Sequence, residues 1–514
     1  MATILNSTLS LLRVSSAAGG KNPIMCGSVH ILQFKFMMKR LSALFITTIV
    51  SLTSQLSAAD ASRPNILLIL ADDLGYHDLG CYGVQDYETP NLDRLAASGI
   101  RFTDGYVTAP QCGPSRAGLM TGVQQARFGV NDNKDDYGLP TSDVVQLIPE
   151  QLKAQGYTTG LVGKWHLGFR YHPDDRSKSG TRPGNGPWER GFDYVFKIFA
   201  GSAQYFPYKT PDFRAEMGWI KHLQEKQIGE APVYLADLPK ETYMTDIFTK
   251  RGVDFIKRHQ DEPWFLYLSY TAPHGPMQAK PEKLQKYKHI KDPIRRIFMA
   301  MMDSMDEGIG RVLDTLEQTG QLENTVVWFL SDNGGVAIDS KQWNGSRCDP
   351  FSGVKGDVYE GGIRVPFIVS WPGTLPAGEV SSTPVSSLDI LPTSVAIAGE
   401  DTIAPIHDGV NLLPHLLRQA DAPERNLYWS WRGNYSAIRV GNLKEVRNGR
   451  PVKAIDGSEI PKHNFVDLST NPEELAGEHT LQSPEQKEML AKRLDAWLKS
   501  VQADAKRLRP LDVY

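Results

Sequence analysis

The chain has 514 residues, 41% hydrophobic and 22% charged, and a formal net charge of −3. Those values exclude a disordered chain and a repeat array, and they leave room for one large core with a smaller appended domain, enough for an enzyme. So even a balance supplies no global field toward a polyanion, and an anionic partner therefore needs a local basic site.

Met37-Met38-Lys39-Arg40, the apolar run LSALFITTIVSLTS and Ser57-Ala58-Ala59 follow the order of a secretory signal: basic start, short apolar stretch, small residues at the cut. Export to the periplasm or the exterior is expected, with cleavage after about Ala59. The 36 residues before Met37 carry no structural pattern. A signal starts at its basic region, which makes Met37 or Met38 the expected start and sets residues 1–59 apart from the fold. Without that segment the chain has 51 Lys/Arg against 59 Asp/Glu, a formal charge of −8, and three cysteines, Cys81, Cys112 and Cys348. Three scattered cysteines are too few for a disulfide scaffold or a zinc cluster. Either Cys81 and Cys348 pair in an oxidising compartment and leave Cys112 over, or all three stay unpaired.

From Pro64 to about Leu417, apolar runs of strand length alternate with amphipathic helical stretches, the pattern of an α/β sheet between helices. NILLIL (65–70) is the first expected buried strand. Thr89-Pro90 starts a helix that runs to Ser98 with Gly99 as its stop, and Pro149 to Gln155 with Gly156 repeats the design. TTGLVG (158–163), WFLYLSY (264–270), TVVWFL (325–330) and VPFIVSW (365–371) are further expected strands. After Pro423 the segments become short and alternating, LYWSW (427–431), YSAIRV (435–440), LKEVR (443–447) and NFVDL (464–468), before a helix from about Ser483 to Val501. The expected division is a catalytic domain over 60–420 and an α+β subdomain, a small antiparallel sheet plus one helix, over 421–514.

In an open α/β sheet the ligand crevice lies beyond the carboxyl ends of the strands, so polar residues directly after apolar runs carry most weight. NILLIL is followed by Asp72-Asp73, TTGLVG by Lys164-Trp165-His166, WFLYLSY by Thr271-Ala272-Pro273-His274 and TVVWFL by Ser331-Asp332-Asn333, with Lys355 further on. Asp72, Asp73, Asp332 and Asn333 offer only oxygen ligands, a set for a hard divalent cation such as calcium or magnesium. Arg116, Lys164, Lys355, His166 and His274 add three fixed cations and two titratable rings, a partner set for a multiply charged oxyanion. Cys112-Gly-Pro-Ser-Arg116, with a helix starting near Pro114, has two readings: a thiolate stabilised by the helix dipole and Arg116, or a buried cysteine before a capped helix.

Cys112-Gly-Pro-Ser-Arg116 with Leu119-Met120-Thr121-Gly122, and Gly156-Tyr-Thr-Thr-Gly-Leu-Val-Gly163-Lys164-Trp165-His166, resemble the two signatures of the type I sulfatases of the alkaline phosphatase superfamily. The resemblance runs from about Pro64 to the C-terminal helix. It implies a large, mostly parallel mixed sheet between helices, and hydrolysis of a sulfate ester. It also implies that a maturation enzyme oxidises Cys112 to formylglycine (3-oxoalanine), whose hydrate attacks sulfur while one hydroxyl and Asp72, Asp73, Asp332 and Asn333 hold calcium. By the same carry-over, Arg116 and Lys164 stabilise the hydrate and the charge on the metal side. Lys355 and His274 contact the sulfate and its leaving oxygen, with His274 as general acid, and His166 takes the proton whose loss expels sulfate. Gln111 departs from the family pattern, which has an apolar or small hydroxylic residue there.

Export and such a site point to a sulfated sugar or polysaccharide as substrate. Arg170, His172, Arg176, Lys178 and Arg182, and Lys280, Lys283, Lys286, Lys288 and Lys291, are two basic runs that either contact a polyanion or form solvated faces, the second being expected. Trp188, Tyr205, Phe206 and Trp343 could stack on sugar rings, though core packing is expected of each. Two rival readings are a phosphodiesterase or phosphonate monoester hydrolase on the same site, and a silent glycan-binding protein in which Cys112 stays a thiol.

Overall fold

The computed structural model describes residues 63–508 apart from 134–137, 171–179, 199–200, 207–223, 231–232, 235–238, 240, 337–342, 401–402, 455–456 and 478–479. The expected signal and early start, residues 1–59, and His172, Arg176 and Lys178 of the first basic run lie outside the described residues.

Strand β1 (Asn65–Ala71) is buried along its whole length. Ile66, Leu68 and Leu70 enter one core and Leu67, Ile69 and Ala71 another. A strand covered on both faces has no solvent side, which is why NILLIL shows no polar alternation. β7 (Trp264–Ser269) and β8 (Thr325–Ser331) flank β1, both parallel to it. β3 (Thr158–Lys164) is parallel to β7, and β4 (Tyr194–Ile198) to β3. Beyond β8 come β9 (Phe367–Ser370) and β2 (Gly99–Phe102), each antiparallel to its predecessor, and then β10 (Glu379–Ser381), parallel to β2. At the opposite edge β5 (Gln224–Gln227) and β6 (Val233–Tyr234) turn back antiparallel. Among the described residues the sheet thus has ten strands in the order β10-β2-β9-β8-β1-β7-β3-β4-β5-β6.

Helices cover both faces. α2 (Cys112–Thr121), α3 (Ile148–Ala154) and α6 (Ile390–Ile397) pack into the first core, and α1 (Pro90–Ala97), α4 (Met244–Arg258) and α5 (Pro293–Gln318) into the second. Gly156 takes φ +85° after α3 and stops it, as expected. Gly99 does something else: α1 ends at Ala97, and Gly99 opens β2, where a Cβ would stand 2.1 Å from the Val369 carbonyl oxygen. The glycine is there for strand approach, a contact that local sequence does not show. VPFIVSW likewise shortens to Phe367–Ser370 and runs antiparallel.

β11 (Asn426–Trp431), β12 (Tyr435–Val440), β13 (Leu443–Arg447) and β14 (Asn464–Asp467) form an antiparallel meander, and α7 (Pro484–Leu508) extends beyond the expected Val501. Leu490, Leu494, Trp497 and Val501 of α7 pack with Ile438, while Trp429, Trp431, Ala437 and Val446 join the first core of the large sheet. The alternation of these strands is therefore the mark of a sheet buried on both sides by different partners. Lys444 of β13 is fully buried, with Nζ 2.7 Å from Glu360 and 2.9 Å from Glu474.

Candidate active site

Strand register gathers the chemistry at one level. Leu70 lies opposite Ser269, Ala71 opposite Ser331 and Ser269 opposite Gly163, so Asp72-Asp73, Asp332-Asn333, Lys164 and the turn to His274 leave the sheet together. Asp72 N donates to Ala272 O and Asp332 N to Ala71 O, both at 3.1 Å, which ties the emerging loops to each other. Gly163 permits the approach: its φ is +111°, and a Cβ there would stand 1.8 Å from the Ser269 carbonyl oxygen. Asp73 (φ 64°) and His166 (φ 56°) are held in the left-handed region without being glycine, at a cost of about 1–3 kcal/mol each. Such backbone persists where the surroundings over-determine it, as they do here.

α2 begins at Cys112, two residues before the expected start near Pro114, with Ser115 N donating to Gln111 O at 3.0 Å. Proline is harmless in the first turn, where its missing N–H has no helical partner to lose. All ten residues of α2 are buried, and its N-terminal end carries residue 112 into the gathered loops.

The charges pair off across the site. Lys164 Nζ donates to Asp72 Oδ2 at 2.7 Å, and Lys355 Nζ lies 2.6 Å from Asp73 Oδ1. Arg116 Nε donates to Asp332 Oδ2 at 2.8 Å, and its Nη1 reaches Lys164 O, Tyr267 Oη and Ser269 Oγ. Asn333 Nδ2 donates to Asp73 Oδ1 at 2.8 Å, and His274 Nε2 stands 3.4 Å from Asp73 Oδ2. Tyr205 Oη donates within hydrogen-bonding reach of the carbonyls of Thr271 and His274 and so fixes that turn. Tyr205 thus acts inside the protein, not as a sugar platform. Tyr205 is buried in the core as expected and also holds this turn, whereas Tyr267 and Ser269 are contributors that sequence reasoning missed, because each reads as an ordinary strand residue.

Burial would raise the Asp72 carboxyl, but Lys164, His274, Arg116 and Lys355 outweigh it and hold it well below the usual carboxylate range. Asp73 is lowered in the same way, by Lys355 first. Asp332 goes the other way: burial and the charge of Asp72 push it up to about 6. Burial pushes the Cys112 thiol up to about 11 despite Lys164 and Lys355 nearby. Burial thus favours the neutral thiol for the encoded residue, against the reading of a dipole-stabilised thiolate. Burial, reinforced by Lys164 and Arg116, drives His166 well below its ordinary value, and burial lowers His274 against the pull of Asp73 and Asp72.

The donor set fits a hard cation. Ligand atoms of Asp72, Asp73, Cys112 and His274 all lie within 4.8 Å of one another. Asp72 Oδ1 and Asn333 Oδ1 are buried without a hydrogen-bond partner, an arrangement that costs free energy unless a ligand satisfies them. Asp332, the other expected ligand, accepts from Arg116 through Oδ2 and from Asp73 N through Oδ1 at 3.3 Å. Asp72, Arg116 and Lys164 side chains are wholly buried, whereas Lys355 and His274 keep 17% and 22% of their side-chain surface and so form the part of the site that reaches solvent.

The remaining expectations resolve mostly into structure. Cys81, Cys112 and Cys348 are all free thiols. Lys280, Lys283 and Lys286 pair with Asp246, Glu307 and Asp303 of the same chain, so that part of the second basic run is a paired surface. Phe206 packs on Tyr243, and Trp188 is half-buried beneath Lys197 and Lys226. Trp343 is half-buried, its Nε1 on Ser346 O at 3.4 Å.

Residues 64–400 match the model of the Sulfatase family. The chain is 34% identical to human (Homo sapiens) N-acetylgalactosamine-6-sulfatase over 417 residues, 74% of each chain, and 32% identical to arylsulfatase G of Rattus norvegicus over 483 residues, 84% of this chain and 85% of the relative. Its fold is similar to the crystal structure of Ps i-CgsB in complex with k-i-k-neocarrahexaose, with TM-score 0.72, 31% identity, and coverage of 86% of this chain and 94% of the other. It is also similar to the PsFucS1 sulfatase from Pseudoalteromonas sp., with TM-score 0.71, 26% identity, and coverage of 90% and 94%. Match and site agree: this chain belongs to the sulfatase family and is a sulfuric ester hydrolase.

Proposed function

We propose that the protein removes sulfate from a sulfated carbohydrate outside the cytoplasm, using formylglycine made from Cys112 by a maturation enzyme, with one calcium ion. The observation that carries this reading is the meeting of two orphaned buried oxygens, Asp72 Oδ1 and Asn333 Oδ1, with residue 112 and the partly exposed pair Lys355 and His274. Relatives that are carbohydrate sulfatases, N-acetylgalactosamine-6-sulfatase among them, support the sugar as the alcohol part of the ester. The N-terminal signal pattern supports export. Among the described residues no helix is long and apolar enough to cross a membrane. We assign residues 60–420 to the catalytic domain and 421–514 to the subdomain that packs on it.

Asp72, Asp73, Asp332 and Asn333 would hold the cation together with the side chain of residue 112. Calcium supplies Lewis acidity there, and the hydrated aldehyde supplies an oxygen nucleophile in place of the inert thiol. A sulfate ester is anionic, so an anionic nucleophile approaches it only where fixed positive charge offsets the repulsion. Lys355 supplies such charge at the open side, and Lys164 and Arg116 supply it beneath. The amino end of α2 adds the positive pole of its dipole. His274 lies where a leaving oxygen would emerge; its Nδ1 donates to the Gly275 carbonyl at 2.5 Å, so Nε2 carries a proton to give only in the imidazolium form, which the Asp73 and Asp72 carboxylates beside it favour against burial. His166 is held neutral, the form that accepts the proton from residue 112 when sulfate is expelled.

The deciding experiment is a panel of sulfated mono- and oligosaccharides beside matched phosphate esters, with mass spectrometry of the Cys112 peptide in the same sample. Sulfate release with residue 112 as formylglycine is the expected outcome. Preferential cleavage of phosphate diesters or phosphonate monoesters overturns the sulfatase assignment, and sulfate release with an intact thiol overturns the mechanism. Binding of sulfated sugar without turnover would point to the silent glycan-binding reading.

A further inference from the structure

Gln111, the residue that departs from the family signature, is used here as a joint. It occupies the N-cap position of α2 with extended backbone (φ −152°, ψ 143°), yet its side chain makes no cap hydrogen bond. Its Oε1 instead accepts from Trp431 Nε1 at 3.1 Å and from Asn133 N at 3.3 Å. The cap comes from outside the helix: Asn133 Oδ1 accepts from Gly113 N at 2.8 Å, satisfying one of the orphan donors of the first turn. That bond orients the carboxamide, because only its oxygen can accept from an N–H. Asn133 Nδ2 therefore faces residue 112 and stands 3.9 Å from its sulfur.

The C-terminal sheet holds the other end of this joint. Trp431, the last residue of β11, also packs against the loop that carries Lys355, where a Cβ on Gly356 would meet the indole at 3.3 Å. Gly356 N donates to Pro110 O at 2.7 Å, and Arg432 both donates from N to Asn131 O and pairs with Asp132 at 2.6 Å. The segments 110–113, 131–133 and 355–356 are thus clamped by one hairpin.

We infer that Asn133 is a further residue of the active site, a fixed N–H donor to the side chain of residue 112, and that Gln111 and Trp431 are positioning residues that hold it there. The inference rests on the proposed reading of residue 112 as a formylglycine hydrate. That side chain carries two oxygens where the cysteine has one sulfur, and a donor fixed beside them selects one rotamer for attack. The residue before the nucleophile is then glutamine because its oxygen must accept two N–H groups from different parts of the chain.

Three variants separate this role from simple helix capping. Asn133→Asp keeps the oxygen that caps Gly113 and loses the donor; Asn133→Ala loses both; Trp431→Phe keeps an aromatic ring but loses the bond to Gln111 and part of the indole that packs beside Gly356. Turnover is counted per formylglycine, quantified by mass spectrometry, so that altered maturation does not enter. Expected are a kcat lowered by roughly 10–100-fold in both Asn133 variants and by roughly 3–10-fold in Trp431→Phe, with KM changed less than kcat. Trp431→Phe should lower kcat less in an Asn133→Ala background than alone, since the part of its effect that passes through that side chain is already lost. Wild-type kcat in Asn133→Asp, or an undiminished effect of Trp431→Phe in the double variant, overturns the proposal. Hydrogen exchange at the Gly113 amide, measured on unconverted Cys112 protein, needs no turnover. It should quicken in Asn133→Ala and stay slow in Asn133→Asp, and unchanged exchange in Asn133→Ala overturns the geometry. A wild-type protein with no sulfatase activity counts against the function, while the exchange result still tests the joint.

Discussion

Asp73 is a junction of the site: Lys355 and Asn333 donate to it, His274 faces it, and its backbone is left-handed. Its charge is one of three carboxylates offset by three fixed cations, so removing a cation leaves an anion without its counterpart in a site that must also receive an anionic substrate. Lys355→Ala should therefore lower kcat on the order of 100-fold, the scale for losing one group that stabilises transition-state charge. Steady-state kinetics on a sulfated sugar checks this, and an unchanged kcat shows that another cation faces the sulfate. Cys112→Ala should abolish turnover and leave the circular dichroism spectrum and thermal unfolding unchanged, since the thiol is neutral and its side chain makes, among the described residues, only the long hydrogen bond from Asn133 Nδ2. Asp72, Asp73, Lys164, His166, His274, Asp332 and Asn333 were legible because each closely follows an apolar run, whereas Arg116 and Lys355 do not follow one directly. The roles of Tyr205, Asn133 and Trp431 were not legible, because they depend on partners roughly 20 to 320 residues away.

At the scale of elements, Gly163 sets how closely β3 and β7 approach. Gly163→Ala forces a Cβ onto the Ser269 carbonyl in a backbone conformation that L-residues avoid, and should cost about 2 kcal/mol or more. Denaturant unfolding measures the loss, and turnover should fall with it because Lys164 is the next residue. The buried trio Lys444, Glu360 and Glu474 joins β13 to the main sheet and makes stability depend on pH. Burial, aided by the charge of Glu360, pushes Glu474 up to about 7 from 4.5, while Lys444 and Arg364 overcome burial to hold Glu360 down to about 2. Between pH 4.5 and 7 the folded chain binds more protons at Glu474 than the unfolded chain does. Its contribution is therefore complete below pH 4.5 and is lost as pH rises through about 7. Glu474→Gln removes this titration, so its Tm relative to the wild type should rise by roughly 2 °C or more between pH 5 and pH 8. A constant difference across that range means Glu474 does not titrate there.

For the whole molecule, a calcium ion held by Asp72, Asp73, Asp332 and Asn333, as proposed, would make the folded state depend on it. Calcium at about 100 times its Kd should stabilise the protein by roughly 2.7 kcal/mol, read as a Tm that rises with added calcium and falls with chelator. A Tm indifferent to both, in protein shown to be metal-free at the start, removes calcium from the assignment. The amino-acid sequence alone determined the central strands β1, β3, β7 and β8, the run that becomes β9, the four strands of the C-terminal sheet and the class of the site, since apolar period and the residues just after each run are local properties; the outer strands β2, β4, β5, β6 and β10 are short or interrupted by polar residues and do not stand out in this way. Tertiary structure alone decided the antiparallel turn of β9, the purpose of Gly99 and Gly163, the neutral state of the Cys112 thiol and the joint through Gln111. Each of these depends on how close a distant backbone comes or on how completely a group is removed from water, and neither quantity is carried by neighbours along the chain.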